Sequence, residues 1–280
     1  MILLLLGLLF SSIVTVLFYL FVFKSAFLIL VFCGAFIVYI VLFLLFAYTV
    51  SLICKSVETD ENGKVIKKTP NKIFAPITYL AADFLRVFFR IKVKVINKDL
   101  LPTNETFLLV CNHQSLMDPM LIMSSLKRTD IYYIMKKQIR KIPIVGRWLQ
   151  EAGYYYLDRE NNREGLKLIL ECICDLKNGK NVGLFIEGTR SKGPNLGTFH
   201  DASLKMALKS NVKIAVVCLD NCYKIKKRYP FMRTRVLVKV CDVLNYDDFK
   251  DLSTSDISEK IKSIIQSNLD LERNNVNKKK

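Results

Sequence analysis

His113 and Asp118 are the two residues of this chain whose types best suit acid–base chemistry. His113 is one of two histidines in 280 residues, and it lies in the segment CNHQSLMDPM at 111–120. A carboxylate beside an imidazole fixes its tautomer, and the second ring nitrogen can then take a proton from a hydroxyl group. On one straight helix, side chains five positions apart diverge by about 140°. The two residues therefore pair only if 112–117 form a loop that folds back onto a helix start.

The spacing alone leaves other interpretations of this segment open. An Asp followed by Pro is typical of a helix start, so Asp118 is also explained as the cap of a helix that begins at Pro119. His113 would then be an ordinary surface histidine. Cys111 offers a Cys–His nucleophile as a further alternative, although a cysteine at the end of an apolar strand is expected in the core.

A second group of polar residues follows the apolar run at 182–186. The chain turns there through Gly188, and Glu187, Thr189 and Arg190 surround the turn. Planar guanidinium groups and hydroxyl donors suit the oxygens of a phosphate, so the turn is a candidate anion site. A polar turn with a local Glu–Arg ion pair explains the same residues without any ligand.

Basic residues follow two further strand-like runs. Lys136 and Lys137 come after 131–135, and Arg159 comes after 154–158. We expect Lys137 and Arg159 to add positive charge around the phosphate; the alternative is a solvated basic surface. Ligands of α/β sheets bind at strand ends, which is where these residues fall.

Alternating strand-like and helix-like segments in the C-terminal two thirds of the chain must position these side chains. The runs at 92–96 and 106–111 have the length and composition of strands, and 164–179 have the period of an amphipathic helix that ends in glycine. We therefore predict an α/β fold over residues 73–272, in which a mixed sheet is covered by flanking helices.

The first 54 residues carry a single charged side chain, Lys24. The apolar stretches on either side of it each reach the roughly 20 residues that a helix needs to cross a bilayer. We predict a membrane helix hairpin over 1–54; one long helix, or two helices that enter and leave one leaflet, fit the same pattern. A cleaved signal peptide is disfavoured by the length of the run and by its lack of a basic start.

Three further segments complete the predicted organisation. Residues 55–72 are polar and are predicted to form a linker. Residues 73–91 are largely apolar, which predicts a helix lying in the membrane interface, with a core-packed helix as the alternative. Residues 273–280 form a basic tail.

The formal net charge of +17 reflects 42 Lys and Arg against 25 Asp and Glu. This excess suits anionic lipid headgroups or phosphorylated substrates, and it favours a domain on the cytoplasmic side of the cell membrane. Nucleic acid is the competing partner, and the membrane segment disfavours it. The eight cysteines lack the paired spacing of zinc ligands, and two histidines are few, so we predict no metal site.

Together, the three polar stretches resemble the blocks of the glycerolipid acyltransferase family, specifically the bacterial 1-acylglycerol-3-phosphate acyltransferases, over roughly residues 73–245. Residues 112–118 match the block N-H-Q-S-x-x-D, and residues 185–191 match F-P-E-G-T-R-S with Ile186 in place of the proline. The intervening block is matched in order by Lys136 or Lys137, Pro143, Gly146, Gly153 and Arg159. Further departures from the family are His200 for a lysine, Ala202 for a glycine and Val216 for a proline.

The resemblance implies an enzyme that moves a fatty acyl group from acyl-coenzyme A or acyl carrier protein to the free hydroxyl of lysophosphatidic acid. The product would be phosphatidic acid, used in phospholipid synthesis. His113 would be the base, Asp118 would orient it, and no acyl-enzyme, metal or redox cofactor is expected. The implied acceptor-phosphate site comprises Glu187, Gly188, Thr189, Arg190, Lys137 and Arg159. Two alternatives stay open: glycerol 3-phosphate or another lysophospholipid as acceptor, or a non-catalytic membrane-tethered protein that binds anionic lipid.

Overall fold

The computed structural model describes residues 2–21, 28–54, 57–59, 65–68, 72–158 and 161–277. The helices in chain order are α1 (Ile2–Phe21), α2 (Leu28–Ile53), α3 (Phe74–Phe88), α4 (Asp118–Leu126), α5 (Val145–Glu151), α6 (Asn162–Lys177), α7 (Lys205–Ser210), α8 (Ile225–Arg228) and α9 (Thr254–Asn277). The strands are β1 (Val57–Thr59), β2 (Val65–Lys68), β3 (Ile91–Ile96), β4 (Phe107–Cys111), β5 (Ile131–Lys136), β6 (Tyr155–Leu157), β7 (Asn181–Phe185), β8 (Lys213–Asp220) and β9 (Thr234–Leu244). The chain divides into two compact units, Met1–Phe88 with Gln138–Gly153, and Phe89–Lys137 with Tyr154–Lys280.

The apolar helices α1 and α2 of the first unit pack against each other. The Tyr39 hydroxyl donates a hydrogen bond to the Leu3 carbonyl at 3.0 Å. A single continuous helix would hold residues 36 positions apart at roughly 54 Å, so the chain has turned back between them. This contact confirms the predicted hairpin and excludes one long helix.

Helix α2 is, within the part of the chain that the structure describes, the one helix long and apolar enough to cross a bilayer, over Ile29–Ile53. The apolar part of α1, Ile2–Leu17, is shorter. At Gly7 a Cβ would lie 2.8 Å from the rings of Phe36 and Tyr39. The absence of a side chain there lets the two helices approach closely.

Helix α3 packs one face on α5 in the same unit. The Trp148 ring meets Phe74 edge-on, with centroids 4.7 Å apart, and its Nε1–H donates to the Thr78 hydroxyl at 2.8 Å. This face of α3 is therefore packed against protein, as in the core-packed alternative. For the rest of α3, a position in the membrane interface stays a prediction. Within the predicted linker, β1 and β2 form an antiparallel pair.

Seven strands of the second unit form a mixed sheet in the order β3-β9-β8-β4-β7-β5-β6. Strands β8, β4, β7, β5 and β6 run parallel to one another, and β9 pairs antiparallel with β8. Every residue of β4 and β7 is buried, as expected for strands covered on both faces. The predicted α/β fold with a covered mixed sheet is confirmed.

Residues spaced four apart on α6 and α9 supply much of the cover, because that spacing places side chains on one helix face. The buried residues concerned are Leu168, Cys172 and Leu176 of α6, and Ile257, Ile261, Ile265 and Leu269 of α9. Gly179, at φ 86°, follows the last turn of α6 where a helix end was predicted. Helix α9 runs to Asn277, so the first residues of the predicted basic tail are helical.

Candidate active site

The carboxyl ends of parallel strands bring most candidate residues to one edge of the sheet. Strand β4 leads into His113, β7 into Glu187, and β5 into Lys137. These three strands are parallel neighbours, so their ends meet at the same edge. Arg159, which follows β6, lies outside the described residues, and its role stays a prediction.

His113 and Asp118 are hydrogen-bonded at that edge, with Nδ1 of His113 2.8 Å from Oδ2 of Asp118. Residues 112–117 leave β4 without helical structure and α4 begins at Asp118, so the chain folds back as the pairing requires. The same Oδ2 accepts backbone N–H groups of Gln114 at 2.6 Å and Ser115 at 2.8 Å. The carboxylate thus points into the preceding loop, and the explanation of Asp118 as a simple helix cap does not apply.

These contacts set the tautomer of the imidazole. The two backbone N–H groups hold the Asp118 oxygen as an acceptor, so Nδ1 of His113 carries the donated proton and Nε2 keeps its lone pair. Among the described residues nothing hydrogen-bonds to Nε2. The His113 side chain is 16% exposed while that of Asp118 is fully buried. The Asp118 carboxylate is therefore protected from solvent while Nε2 of His113 is open, an arrangement that suits a general base.

Two buried amide side chains fix the loop that carries His113. Asn112 pairs twice with the main chain of Leu219 in β8, its Nδ2 donating at 3.0 Å and its Oδ1 accepting at 2.8 Å. Gln114 accepts from the Cys222 N–H at 3.0 Å and donates to the Gly193 carbonyl at 3.2 Å. The loop is therefore fixed to chain segments on both sides of β4.

Aromatic rings hold the plane of the imidazole. His113 stacks on Phe185 with centroids 4.3 Å apart and an interplanar angle of 28°. Tyr133 stacks on Phe185 in turn, with centroids 5.6 Å apart. The ring therefore has an apolar support on one face, while Asp118 sets its rotation within the plane.

Glu187 connects the His113 loop to the segment beyond the turn. Its Oε1 accepts the His113 N–H at 2.9 Å, and its Oε2 accepts the Gly197 N–H at 2.8 Å. Burial raises the pKa of Glu187, against the opposing effect of these two N–H groups. With both oxygens bonded to main chain, Glu187 positions the site; contact with the acceptor phosphate stays a prediction for this residue.

The turn after β7 folds against the same loop. Gly188 has φ 62°, and a Cβ there would lie 2.8 Å from the ring of His200, so a glycine is needed on both counts. The Ser191 N–H and hydroxyl donate to the His113 carbonyl at 2.8 and 3.2 Å. The ring of His200 therefore packs on the turn at Gly188. His200 occupies the position where the glycerolipid acyltransferases that this chain resembles have a lysine.

Thr189 and Arg190 project from this turn and are exposed. Within the described ranges the Arg190 guanidinium makes no hydrogen bond or ion pair, and the local pair with Glu187 does not form. Arg190 precedes Ser191, which bonds the His113 carbonyl, and a guanidinium with no carboxylate on it is suited to an anionic ligand. The phosphate site at Thr189 and Arg190 stays a prediction.

Lys137 forms ion pairs with two carboxylates of the protein. Its Nζ lies 3.0 Å from Glu164 Oε2 and 3.1 Å from Asp158 Oδ2. Hydrogen bonds to Glu164 and then Asp158 raise the pKa of the Lys137 ammonium. To bind a phosphate, Lys137 must exchange at least one of these carboxylates, and its part in the site stays a prediction.

Cys111 is a core residue. Its side chain is fully buried at the end of β4, and burial raises the pKa of the thiol well above its usual range, with the nearby Asp118 charge adding to the effect. A thiol that resists ionisation is a poor nucleophile. The Cys–His alternative therefore does not apply.

An ion pair that the sequence did not indicate reaches the site from the last helix. Arg273 of α9 donates to Asp220 with Nε at 3.0 Å and Nη2 at 2.8 Å, and to the Pro194 carbonyl at 2.7 Å. Asp220 ends β8, and Pro194 adjoins Gly193, which bonds Gln114. Residues 53 and 79 positions apart leave no local signal in a single sequence.

Comparison with known proteins shows what the part of the chain around the site resembles. Residues 92–220 match the family model described as Acyltransferase. This segment resembles an acyltransferase domain. The matched segment contains the His113–Asp118 pair, the turn at Gly188 and the end of β8.

Relatives of known name resemble about half of the chain. A 1-acyl-sn-glycerol-3-phosphate acyltransferase of Helicobacter pylori is 32% identical over 136 residues, which are 47% of this chain and 57% of the relative. One of Borreliella burgdorferi is 28% identical over 131 residues, 47% of this chain and 52% of the relative. The chain thus spans little more than half the length of these relatives.

A solved structure shares the fold. The crystal structure of the 1-acyl-sn-glycerophosphate (LPA) acyltransferase from Thermotoga maritima aligns with a TM-score of 0.63 over 94% of this chain and 96% of that chain. Sequence identity is 21%. The shared fold therefore covers more of the chain than residues 92–220, which match the family model.

Proposed function

We propose that this protein transfers a fatty acyl group from a thioester donor to the free hydroxyl of 1-acylglycerol 3-phosphate, giving phosphatidic acid. The observation that carries the proposal is the His113–Asp118 hydrogen bond of 2.8 Å with Nε2 of the histidine open. The names of the relatives support the choice of acceptor.

The proton transfer follows from the geometry. Nε2 of His113 takes the proton of the acceptor hydroxyl as its oxygen attacks the thioester carbonyl, and the imidazolium that forms is stabilised by the Asp118 carboxylate. The tetrahedral intermediate then expels the thiolate, which takes the proton back from His113. The ester is formed, the thiol is released, and the base returns to its starting state.

Binding of the acceptor phosphate is proposed at Arg190, with Thr189 and the turn at Gly188. Lys137 and Arg159 complete the proposed site. A phosphate held beside the base places the acceptor hydroxyl for attack, which is the main advantage of a bound over a free nucleophile.

The donor is acyl-coenzyme A or acyl carrier protein, and we propose no metal or redox cofactor, because a thioester is already activated. Apolar helices at the N terminus support membrane attachment. We propose that the acyltransferase domain faces the cytoplasm, where both donors are made; the net charge of +17 agrees with that side.

Acyl transfer by detergent-purified full-length protein tests the proposal. Lysophosphatidic acid, glycerol 3-phosphate and a lysophospholipid with a larger headgroup are each supplied with acyl-coenzyme A or acyl carrier protein, beside His113→Ala. Phosphatidic acid formed by the wild type alone is the expected result. If only a different acceptor is acylated, that acceptor replaces 1-acylglycerol 3-phosphate in the proposal. If folded wild type gives no product with any acceptor and donor, the protein is a non-catalytic lipid-binding protein.

Arg190→Ala tests the phosphate assignment. Loss of one charge-assisted contact is expected to cost about 1.5–3 kcal/mol, so the acceptor KM should rise roughly 10- to 150-fold while the donor KM changes little. Arg190→Lys, which keeps the charge and loses the planar guanidinium, should have an acceptor KM between those of the wild type and Arg190→Ala. Equal rises in both KM values would contradict an acceptor site at Arg190.

A further inference from the structure

The segment between β8 and β9 lies at the same sheet edge as His113. Strand β8 is parallel to β4, so Asp220 at its end and Cys111 at the end of β4 share that edge. The Cys222 N–H donates to Gln114, one residue from the catalytic histidine, at 3.0 Å. Residues 221–235, the β8–β9 tip, are therefore anchored beside the site.

Two large apolar side chains are exposed on this tip. Phe231 is 87% exposed and Met232 is 55% exposed. The backbone beneath them is fixed: the Met232 N–H donates to the Arg228 carbonyl at 2.8 Å, and Arg90 donates to the Pro230 carbonyl at 3.1 Å. The exposure thus belongs to an ordered turn that presents its apolar side chains outward.

Basic residues flank these apolar side chains along the chain. The sequence has no Asp or Glu from 221 to 241. The basic residues of the tip are Lys224, Lys226, Lys227, Arg228, Arg233 and Arg235. Across the described part of the chain, none of them forms an ion pair. Their positive field is therefore not offset locally.

We propose that the β8–β9 tip docks on an anionic lipid surface, with Phe231 and Met232 entering the boundary between headgroups and acyl chains. Apolar side chains flanked by Lys and Arg are the combination that binds such a surface, through burial of the first and attraction of the second to anionic headgroups. A protein partner is disfavoured, because two side chains on a protruding turn offer far less area than the roughly 800 Å² per partner of a stable protein interface.

This contact has a consequence for the active site, which rests on the proposed function. Because the tip and His113 share a sheet edge, docking brings the edge that carries the base to the bilayer. A lysophospholipid acceptor and its product both reside there. The tip thus adds to the N-terminal helices a second contact that orients the acyltransferase domain.

Fluorescence quenching in vesicles tests the tip directly and without turnover. The full-length chain carrying Phe231→Trp is reconstituted into phosphatidylcholine vesicles, with or without phosphatidylglycerol, that contain brominated lipid. The wild type, whose one tryptophan is Trp148, gives the background to subtract. The introduced indole should emit at shorter wavelength and lose most of its intensity to bromines near the glycerol end of the chains, a depth of about 5–10 Å. Quenching should be stronger with phosphatidylglycerol and weaker at high salt.

Matched variants separate docking from general membrane proximity. Leu100→Trp is the control reporter, since Leu100 is 52% exposed and follows β3 at the opposite sheet edge. Lys226→Glu with Lys227→Glu should reduce the Phe231→Trp quenching to its level in neutral vesicles, whereas Lys209→Glu, just before β8 begins, should not. Equal quenching of the two reporters, or none at Phe231→Trp, overturns the proposal. So does a Phe231→Trp emission that responds to an acidic carrier protein instead of brominated lipid.

Discussion

Asparagine in place of Asp118 separates the charge of this side chain from its shape. Oδ2 accepts three N–H groups, from His113 at 2.8 Å, Gln114 at 2.6 Å and Ser115 at 2.8 Å. In Asp118→Asn the amide oxygen must take that place, because the amide nitrogen would meet three donors. The loop therefore keeps its fold, and the contacts change from charge-assisted to neutral hydrogen bonds. We expect a loss of about 1–3 kcal/mol in the free energy of unfolding.

The effect on catalysis should be larger than the effect on stability. A neutral amide cannot stabilise the imidazolium that forms as His113 takes the proton, so most of the contribution of general base catalysis is lost. That contribution is roughly 10²- to 10⁴-fold, or about 2.7–5.4 kcal/mol. The acceptor KM should hardly change, because Asp118 is fully buried and touches no substrate.

Release of free coenzyme A, followed with a thiol reagent at saturating acceptor, measures kcat for this variant. Asp130→Asn is the matched control: Asp130 is hydrogen-bonded to Arg128 and Asn181, and it precedes β5 at the opposite sheet edge. That variant should lose stability and keep its kcat. A folded Asp118→Asn protein with kcat within about 3-fold of wild type would refute the assignment of His113 as a base oriented by Asp118.

Two further variants test how the site is held. Arg273→Ala should raise the acceptor KM more than it lowers kcat, because Arg273 connects the segment after the turn, through the Pro194 carbonyl, to Asp220 at the end of β8. Arg273→Lys should recover part of the loss, and a purely structural role would change thermal stability alone. Gly197→Ala should lower both the melting temperature and kcat, because the added Cβ would lie 2.5 Å from Glu187 Oε2, whereas Gly193→Ala, whose Cβ would meet its nearest neighbour at 3.8 Å, should leave the melting temperature close to that of the wild type.

The elements of the second unit were predictable because their signals are local. The apolar run of β4 predicts a strand, and the periodic apolar residues of α6 predict a helix whose end is indicated by the glycine that follows it. Between β7 and β8 the chain forms a 3₁₀ turn at Asp201–Leu204 followed by α7. The short pair β1 and β2 was missed because its strands have three and four residues, too few for a period to be read.

The sequence by itself determined which residues are the candidates for the chemistry: His113 with Asp118 five positions on, and the turn of Glu187 to Arg190, each at the end of a strand-like run. Only the tertiary structure decided how those residues are used. In the structure Asp118 accepts hydrogen bonds from the preceding loop and does not cap its helix. Both carboxylate oxygens of Glu187 accept main-chain N–H groups, and Arg273 reaches the site from the last helix. The physical reason is that residue type and spacing report local geometry, whereas the partner of a buried polar group is chosen by whichever donors and acceptors the packed sheet brings within about 3 Å of it.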